Sequence, residues 1–436
     1  MKLILVTPTI KASAIGRMAC LVTKSLVAIG HTVVVVRAEI KPLFNAPTHD
    51  FGVDMIRWDD EQGVLDAAAD ADAVVYQIGD NFPYHEGCLE WIERLPGLVC
   101  LHDFFLGHLF FSWAERNREA ADAVLKRWYG EEGARVFFDP SSDPDFIART
   151  CNVAPMTEWI CSQAIGVITH SRWGTPRVIR SCAGPVEVVP LAYDAPVDFS
   201  AVTAPSPSRH ASVFRLLTIG HINPNKRVAN VIRAIASSPL LRAQCVYQLV
   251  GHIQPAAIIQ LSTLASSLRV NLVVTGEADD ATLARAVAEA DIVSCLRWPS
   301  LEAASASAIE SMLYGKATIV TDTGFYHELP EGCVEKISHD DEIANVRRAL
   351  ERLFTDSTAR TALGGRARQW ASTTYVPENY AHRIADMSKV CMKTRPVADA
   401  EHFFNGVMRN WGASSELLRA SELMMSPFRA ETDLNL

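Results

Sequence analysis

"DIVSCLRWPSLEAASASAIESMLYGKATIVTD", residues 291 to 322, holds a complete strand, loop, helix and strand. The apolar run "DIVSCLR" ends at Arg297 and "WPSLEAA" makes a loop. Good helix formers run from about Ser305 to Tyr314, Gly315 stands where a helix C-terminal cap belongs, and "ATIVTD" (317–322) begins a second strand. A helical crossover is what joins two parallel strands. Small residues at 303–308 leave the first helical turn uncluttered, so an anion can approach its free N–H groups. Glu302 just before that turn and Glu310 in its second turn add two carboxylates that can accept hydrogen bonds from hydroxyls. Phosphate on the helix end with sugar hydroxyls on the carboxylates is an arrangement that suits a nucleotide sugar. Read alone, the stretch slightly favours a blander account, with Glu302 a helix-start acid and Glu310 a solvated surface residue.

The same alternation runs through the chain. Strands are expected at 3–8, 32–38, 73–79, 98–103, 166–171 and 186–191, and after a break at 214–220, 246–251, 271–276, 291–297 and 317–322. The break, "DAPVDFSAVTAPSPSRHAS" (194–212), has the Pro, Ser and Ala content of a linker. The expected fold class is therefore α/β, with two doubly wound Rossmann-like domains facing each other across a cleft. The expected boundaries are 1–195, a linker at 196–212, 213–390, and a helical extension at 391–436 with no assigned place. Ligands of such sheets sit outside the carboxyl ends of the strands.

Composition excludes several classes. Of 436 residues 49% are hydrophobic and 21% charged, which describes a globular chain long enough for two domains. The net charge of −9 leaves no broad basic surface for nucleic acid. Ten scattered cysteines without a CxxC pair fit a reducing, cytoplasmic compartment. The opening "MKLILVTPTIKASAIG" is broken by Pro8 and two threonines, so it reads as a buried first strand rather than a signal peptide. No apolar run approaches the roughly 20 residues of a membrane helix, leaving at most peripheral contact at the inner face of the membrane. No GxGxxG follows the first strand and no GxxxxGK[ST] occurs, which removes the main support for a dehydrogenase or a P-loop nucleotidase. His85-Glu86 and His327-Glu328 lack the second histidine of a zinc motif. Asp70-Asp72 precedes a strand and Asp143-Asp145 falls in the loop "SSDPDF", so both acidic triplets read as solvated turns and no metal is expected.

At Glu302 and Glu310, two glutamates separated by seven residues, the sequence resembles the retaining glycosyltransferases of the two-domain GT-B fold, family four. Further anchors follow in family order: "GHTVVVV", "AIGVITHSRW", "VEVVPLAYD", "LTIGHINPNKR", "TGEADDATLARAVAEADIVSCLRWPSLE" and "GKATIVTDTGFYHELP". The resemblance implies that Glu310 binds the ribose of the donor nucleotide, that Glu302 lies beside the donor sugar, and that Lys226 neutralises the diphosphate leaving group. Gly220 and Ser305 are implied donor-binding positions. His221 stands where the family commonly has an arginine, so either His221 or Arg227 is expected to supply that charge. On the acceptor side, His102 resembles the family histidine near the reacting sugar and Asp103 follows it. Gly16 is the sole glycine of a loop that many members make glycine-rich, and His85 is a weaker candidate expected in a loop. Trp173 and Tyr84 are expected to pack.

The implied activity is transfer of a hexose-type sugar from a nucleoside diphosphate donor to a hydroxyl of a glycan or lipid-linked acceptor, with retention, in surface polysaccharide or glycoconjugate biosynthesis. No cofactor is expected. Two alternatives stay open: another GT-B enzyme on nucleotide sugars, such as an epimerase or a sugar-phosphate synthase, or a non-catalytic member that binds nucleotide sugar.

Overall fold

Near-continuous β-branched runs such as "KLILVT", "TVVVVR" and "AVVYQI" can be buried on both faces, and they build a parallel sheet. In the computed structural model, which describes residues 1–139, 143–194 and 213–412, there are two such sheets in two units.

The first unit contains β1 (Lys2–Thr7), β2 (Thr32–Arg37), β3 (Met55–Arg57), β4 (Ala73–Ile78), β5 (Leu98–Leu101), β6 (Gly166–Thr169) and β7 (Val186–Val188). Their order is β3-β2-β1-β4-β5-β6-β7, all parallel. Helices α1 (Ala14–Ala28), α2 (Glu61–Ala68) and α3 (Phe82–Ile92) join the early strands. Between β5 and β6 the crossover swells into α4 (Gly107–Ala114), α5 (Arg118–Phe137, kinked at Gly130), α6 (Asp143–Thr150) and α7 (Thr157–Cys161). Aromatic residues hold this excursion together, with Phe110, Phe137 and Trp159 meeting edge to face at centroid distances of 5.3 and 4.9 Å. α8 (Thr175–Ser181) precedes β7.

The second unit contains β8 (Phe214–Ile219), α9 (Val228–Ala236), α10 (Pro239–Gln244), β9 (Cys245–Val250), α11 (Pro255–Ser267), β10 (Asn271–Gly276), α12 (Asp280–Glu289), β11 (Ile292–Cys295), α13 (Ala306–Leu313), β12 (Ala317–Thr321), α14 (Gly324–His327), β13 (Glu335–Ile337), α15 (Glu342–Thr355) and α16 (Ser357–Thr374). Its sheet is again all parallel, in the order β10-β9-β8-β11-β12-β13. α13 ends at a glycine with φ of 66°, Gly315, as the sequence predicts.

The division of the chain differs from expectation in two places. Leu301–Ala304 belongs by its contacts to the first unit, although β11 and α13 on either side belong to the second. The final helix, α17 (Pro377–Asn410), runs through the expected boundary at 390 and returns to the first unit, packing on α1, β4 and β5. Ala381, Ile384, Ala385 and Cys391 give it a buried stripe there, and Arg383 pairs with Glu187. The predicted linker 196–212 and the predicted helix "SELLRASELMM" lie outside the described residues. Asp143-Asp145 starts α6 instead of lying in a loop, while Asp70 and Asp72 engage the side chain and backbone N–H of Lys2. All ten cysteines are free thiols, and no helix among the described residues is long and apolar enough to cross a membrane.

Gly251 shows where backbone closeness matters most. Its φ is 132°, and a Cβ there would lie 2.2 Å from the Gly220 carbonyl oxygen. Gly251→Ala should cost about 1–3 kcal/mol, measured by denaturant unfolding. Gly365→Ala, inside α16 with nothing within 4 Å of the new methyl, should be neutral or slightly stabilising.

Candidate active site

In the first unit the polar residues gather at the carboxyl ends of β4, β5 and β6. β5 stops at Leu101, and His102 and Asp103 follow. His102 is buried, with Nε2 2.7 Å from the Gln77 side-chain oxygen and its ring 4.8 Å from that of His170. Leu301–Ala304 lies antiparallel to this strand end. The Ala303 N–H donates to the His102 carbonyl at 2.8 Å and the Phe104 N–H to the Leu301 carbonyl at 2.8 Å, which sets Glu302 opposite Asp103. The Ser171 hydroxyl donates to the Ala303 carbonyl at 2.5 Å and the Trp173 indole N–H to the Glu302 carbonyl at 3.3 Å. Trp173, expected only to pack, thus also braces the peptide that carries Glu302, with its ring edge-on to Phe104.

Asp103 accepts the backbone N–H of Asp80 at 2.9 Å. Burial, then the charges of Asp80 and Glu302, push its carboxyl up to about 8. Asp80 in turn accepts the Leu109 N–H at 2.8 Å and meets His108 Nδ1 at 2.5 Å. Sequence reading missed both Asp80 and His108. The signal available was an acid directly after the Gly that ends the run "AVVYQIG".

Two expected acceptor-side positions turn out differently. His85 lies in α3, not in a loop, and is fully buried, so it meets no ligand from solvent. Neither ring nitrogen makes a hydrogen bond of normal geometry, though the Gln77 backbone faces it. Gly16 sits in the first turn of α1, where its N–H donates to Ser13 Oγ at 3.0 Å and is thereby used. A Cβ there would lie 2.8 Å from the Pro8 carbonyl oxygen, so the glycine serves close packing of helix on turn. That turn is held instead by the buried Glu39, which accepts the Thr9 N–H at 2.5 Å, the Thr9 hydroxyl at 2.8 Å and the Ile10 N–H at 2.9 Å.

The second unit holds the donor-side candidates. Gly220, with φ of 83°, follows directly on β8, and Lys226 folds back so that its ammonium donates to the Ile219 carbonyl. A Cβ on Gly220 would lie 3.1 Å from that nitrogen. Lys226 is only 4% exposed. Glu310, on α13 and 3% exposed, accepts the Tyr193 hydroxyl at 2.9 Å. Ser305 caps α13, its hydroxyl accepting the Ala308 N–H. Arg227, the other candidate for the phosphate-binding charge, is engaged by a carboxylate. It makes an ion pair with the buried Glu342 at 3.0 Å, which Asn230 also engages at 2.5 Å. His221 is exposed, its ring 5.1 Å from that of His252. Sequence reading overlooked Arg297, a buried cation at the end of β11 whose guanidinium reaches Ser307 in the first turn of α13 at 3.4 Å. Among the described residues no three His, Cys, Asp or Glu side chains converge as a metal site.

The buried histidines carry a pH signature. Burial pushes His85 down to about 3 and His170 to about 4, and drives His102 well below its usual range. A base whose folded value is depressed is stabilising above the unfolded value near 6.5, and that contribution is lost as pH falls towards the folded value. Stability should therefore decline between pH 6.5 and 4. For His85 alone, the decline from pH 6.5 to 5 is about 2 kcal/mol. His85→Leu should flatten that limb in urea melts at pH 7 and pH 5.

Residues 208–370 match the family of glycosyl transferases group 1. No curated protein sequence is similar enough to count as a relative of the chain. Among solved structures, the sucrose-phosphate synthase of Thermosynechococcus elongatus superposes with a TM-score of 0.64 at 17% identity, over 89% of this chain and 98% of that one. Anabaena HepE in complex with UDP and glucose gives 0.59 at 15% identity, over 88% and 98%. WaaG, a glycosyltransferase involved in lipopolysaccharide biosynthesis, gives 0.57 at 17% identity, over 88% and 99%. Residues 208–370 thus carry the group 1 glycosyl transferase match, and the two parallel α/β units are those of the GT-B fold.

Proposed function

We propose that the chain transfers a sugar from a nucleoside diphosphate donor to a hydroxyl of a glycan or lipid-linked acceptor, with retained configuration, in surface polysaccharide or glycoconjugate biosynthesis. The observation that carries this reading is that the group 1 segment buries both an ammonium and a carboxylate. Lys226 lies over Gly220 and Glu310 is held by Tyr193. A cation suits the diphosphate, and a carboxylate suits the ribose diol. HepE has been captured with UDP-glucose, which makes that sugar nucleotide a sensible first donor to try.

In this reading the bond between the anomeric carbon and the leaving phosphate oxygen breaks as the acceptor oxygen bonds to the same face. The acceptor proton passes to a phosphate oxygen. Negative charge grows on the diphosphate, and Lys226 with the N–H groups at the start of α13 meets it without a metal. A thermal-shift screen of nucleotide sugars, followed by NMR of the product anomer, tests the class. An inverted product would refute retention.

Two substitutions probe the donor residues. Glu310→Ala should weaken nucleoside diphosphate binding by about 1.5–3 kcal/mol, the range for hydrogen bonds to a charged group. Glu302→Ala should spare the free nucleotide and weaken the intact nucleotide sugar, as titration calorimetry would record.

Lys226→Met should lower turnover sharply while a chelator leaves the wild type essentially intact, because the lost interaction strengthens as the leaving group departs. Activity abolished by chelator and restored by divalent metal, with Lys226→Met near normal, would contradict this assignment of the phosphate site.

A further inference from the structure

The acidic group at the end of β5 is built for something other than a carboxylate, a conclusion that rests on the transferase reading above. Asp103 has two acidic residues as neighbours, Asp80, whose N–H its Oδ2 accepts at 2.9 Å, and Glu302, its antiparallel bridge partner. Asp80 approaches from the turn after β4 and Glu302 from the antiparallel peptide 301–304. His108, from α4, faces the same cluster but is held by Asp80 at 2.5 Å. From α3, His85 approaches across Gly79 and is pushed down to about 3, so it brings no positive charge at neutral pH. Gly79 is what lets these groups meet. A Cβ there would lie 2.9 Å from Asp103 Oδ2, 3.4 Å from His85 Nε2 and 2.5 Å from Ile15 Cδ1. His85 is fully buried on the far side of Gly79, and its ring nitrogens make no hydrogen bond of normal geometry.

A carboxyl in such surroundings gains little by ionising, because a second negative charge beside Asp80 and Glu302 would be repelled at this half-buried strand end. Asp103 Oδ2 already accepts the Asp80 N–H at 2.9 Å, which leaves the proton to Oδ1. We propose that Asp103 meets the substrate as a carboxylic acid, with Oδ2 fixed by Asp80 and the Oδ1 hydroxyl donating a hydrogen bond to a sugar oxygen. The upward push on its carboxyl, to about 8, agrees with that geometry. Asp80, Gly79 and His108 are positioning residues in this account, since they hold Asp103 rather than touch the sugar.

Asp103→Asn is the decisive variant. Its amide oxygen can accept the Asp80 N–H and its amide nitrogen can donate where the acid hydroxyl did, yet it cannot ionise. The first arm needs no ligand. An acid whose folded value is raised contributes stability below its unfolded value near 3.8, and loses it as pH rises towards about 8. The melting temperature of Asp103→Asn should therefore gain steadily on the wild type from pH 5 to pH 8. A gain that is absent or reversed overturns the proposal by showing an ordinary ionised Asp103. The second arm uses UDP-glucose as probe and reads UDP release at pH 7. Asp103→Asn should stay within about threefold of the wild type, and Asp103→Ala should fall roughly five- to a hundred-fold. Equal loss in both variants means the carboxylate form is required, and the proposal fails. If the wild type releases no UDP, the donor reading is what suffers, and the melting series still decides the state of Asp103.

Discussion

Burying an ammonium group is expensive unless its charge has work to do, and Lys226 is buried to within 4% of complete enclosure. Much of the second unit is arranged around that fact. Gly220 has no side chain, so the ammonium can lie above it, and Gly251 has none, so the next strand end can close against the Gly220 carbonyl. Both glycines have positive φ, which an L-residue adopts only under strain. Asn225 stiffens the neighbouring loop by accepting the Trp298 N–H on its carbonyl at 2.9 Å and donating its side-chain amide to the Pro299 carbonyl at 3.1 Å. The Ile219 carbonyl accepts a hydrogen bond from the ammonium and orients it. In the function proposed above, a diphosphate is the ligand that turns this burial into a gain.

The first unit solves a complementary problem. Its strands end in polar residues, and His85, His102 and His170 there are held neutral by burial. Glu302 takes its place through backbone pairing with His102 and Phe104, so its position depends on main-chain hydrogen bonds more than on its own side chain. The excursion from α4 to α7 begins directly after Asp103, and its first helix supplies the Leu109 N–H and His108 that fix Asp80. The aromatic cluster behind it thus supports the polar end of β5 as well as filling the core.

Much of this was legible in the sequence, for physical reasons. Strands buried on both faces must be apolar throughout, so β1, β2 and β4 stand out as runs. The helix over 306–313 was marked by small residues at its start and Gly315 at its end. The strands that escaped notice, β3 and β13, have three residues each, lie at sheet edges and carry charges such as Arg57, Glu335 and Lys336. Spacing could propose Arg227 as a phosphate-binding cation but could not reveal its partner, Glu342, 115 residues away. The same holds for Tyr193 and Glu310, 117 residues apart, and for α17, whose apolar stripe shows a face without showing what it covers. His85 was misplaced because Asn81 and Pro83 resemble a turn, whereas Pro83 falls in the first turn of α3, where proline is tolerated.

The central claim is that the buried ammonium serves a diphosphate, and titration calorimetry with UDP and UMP on the wild type and Lys226→Met tests it most directly. The account predicts that the wild type binds the diphosphate more tightly than the monophosphate and that Lys226→Met removes most of the difference. Equal affinity of the wild type for both nucleotides, or a preference that survives the loss of Lys226, would contradict it.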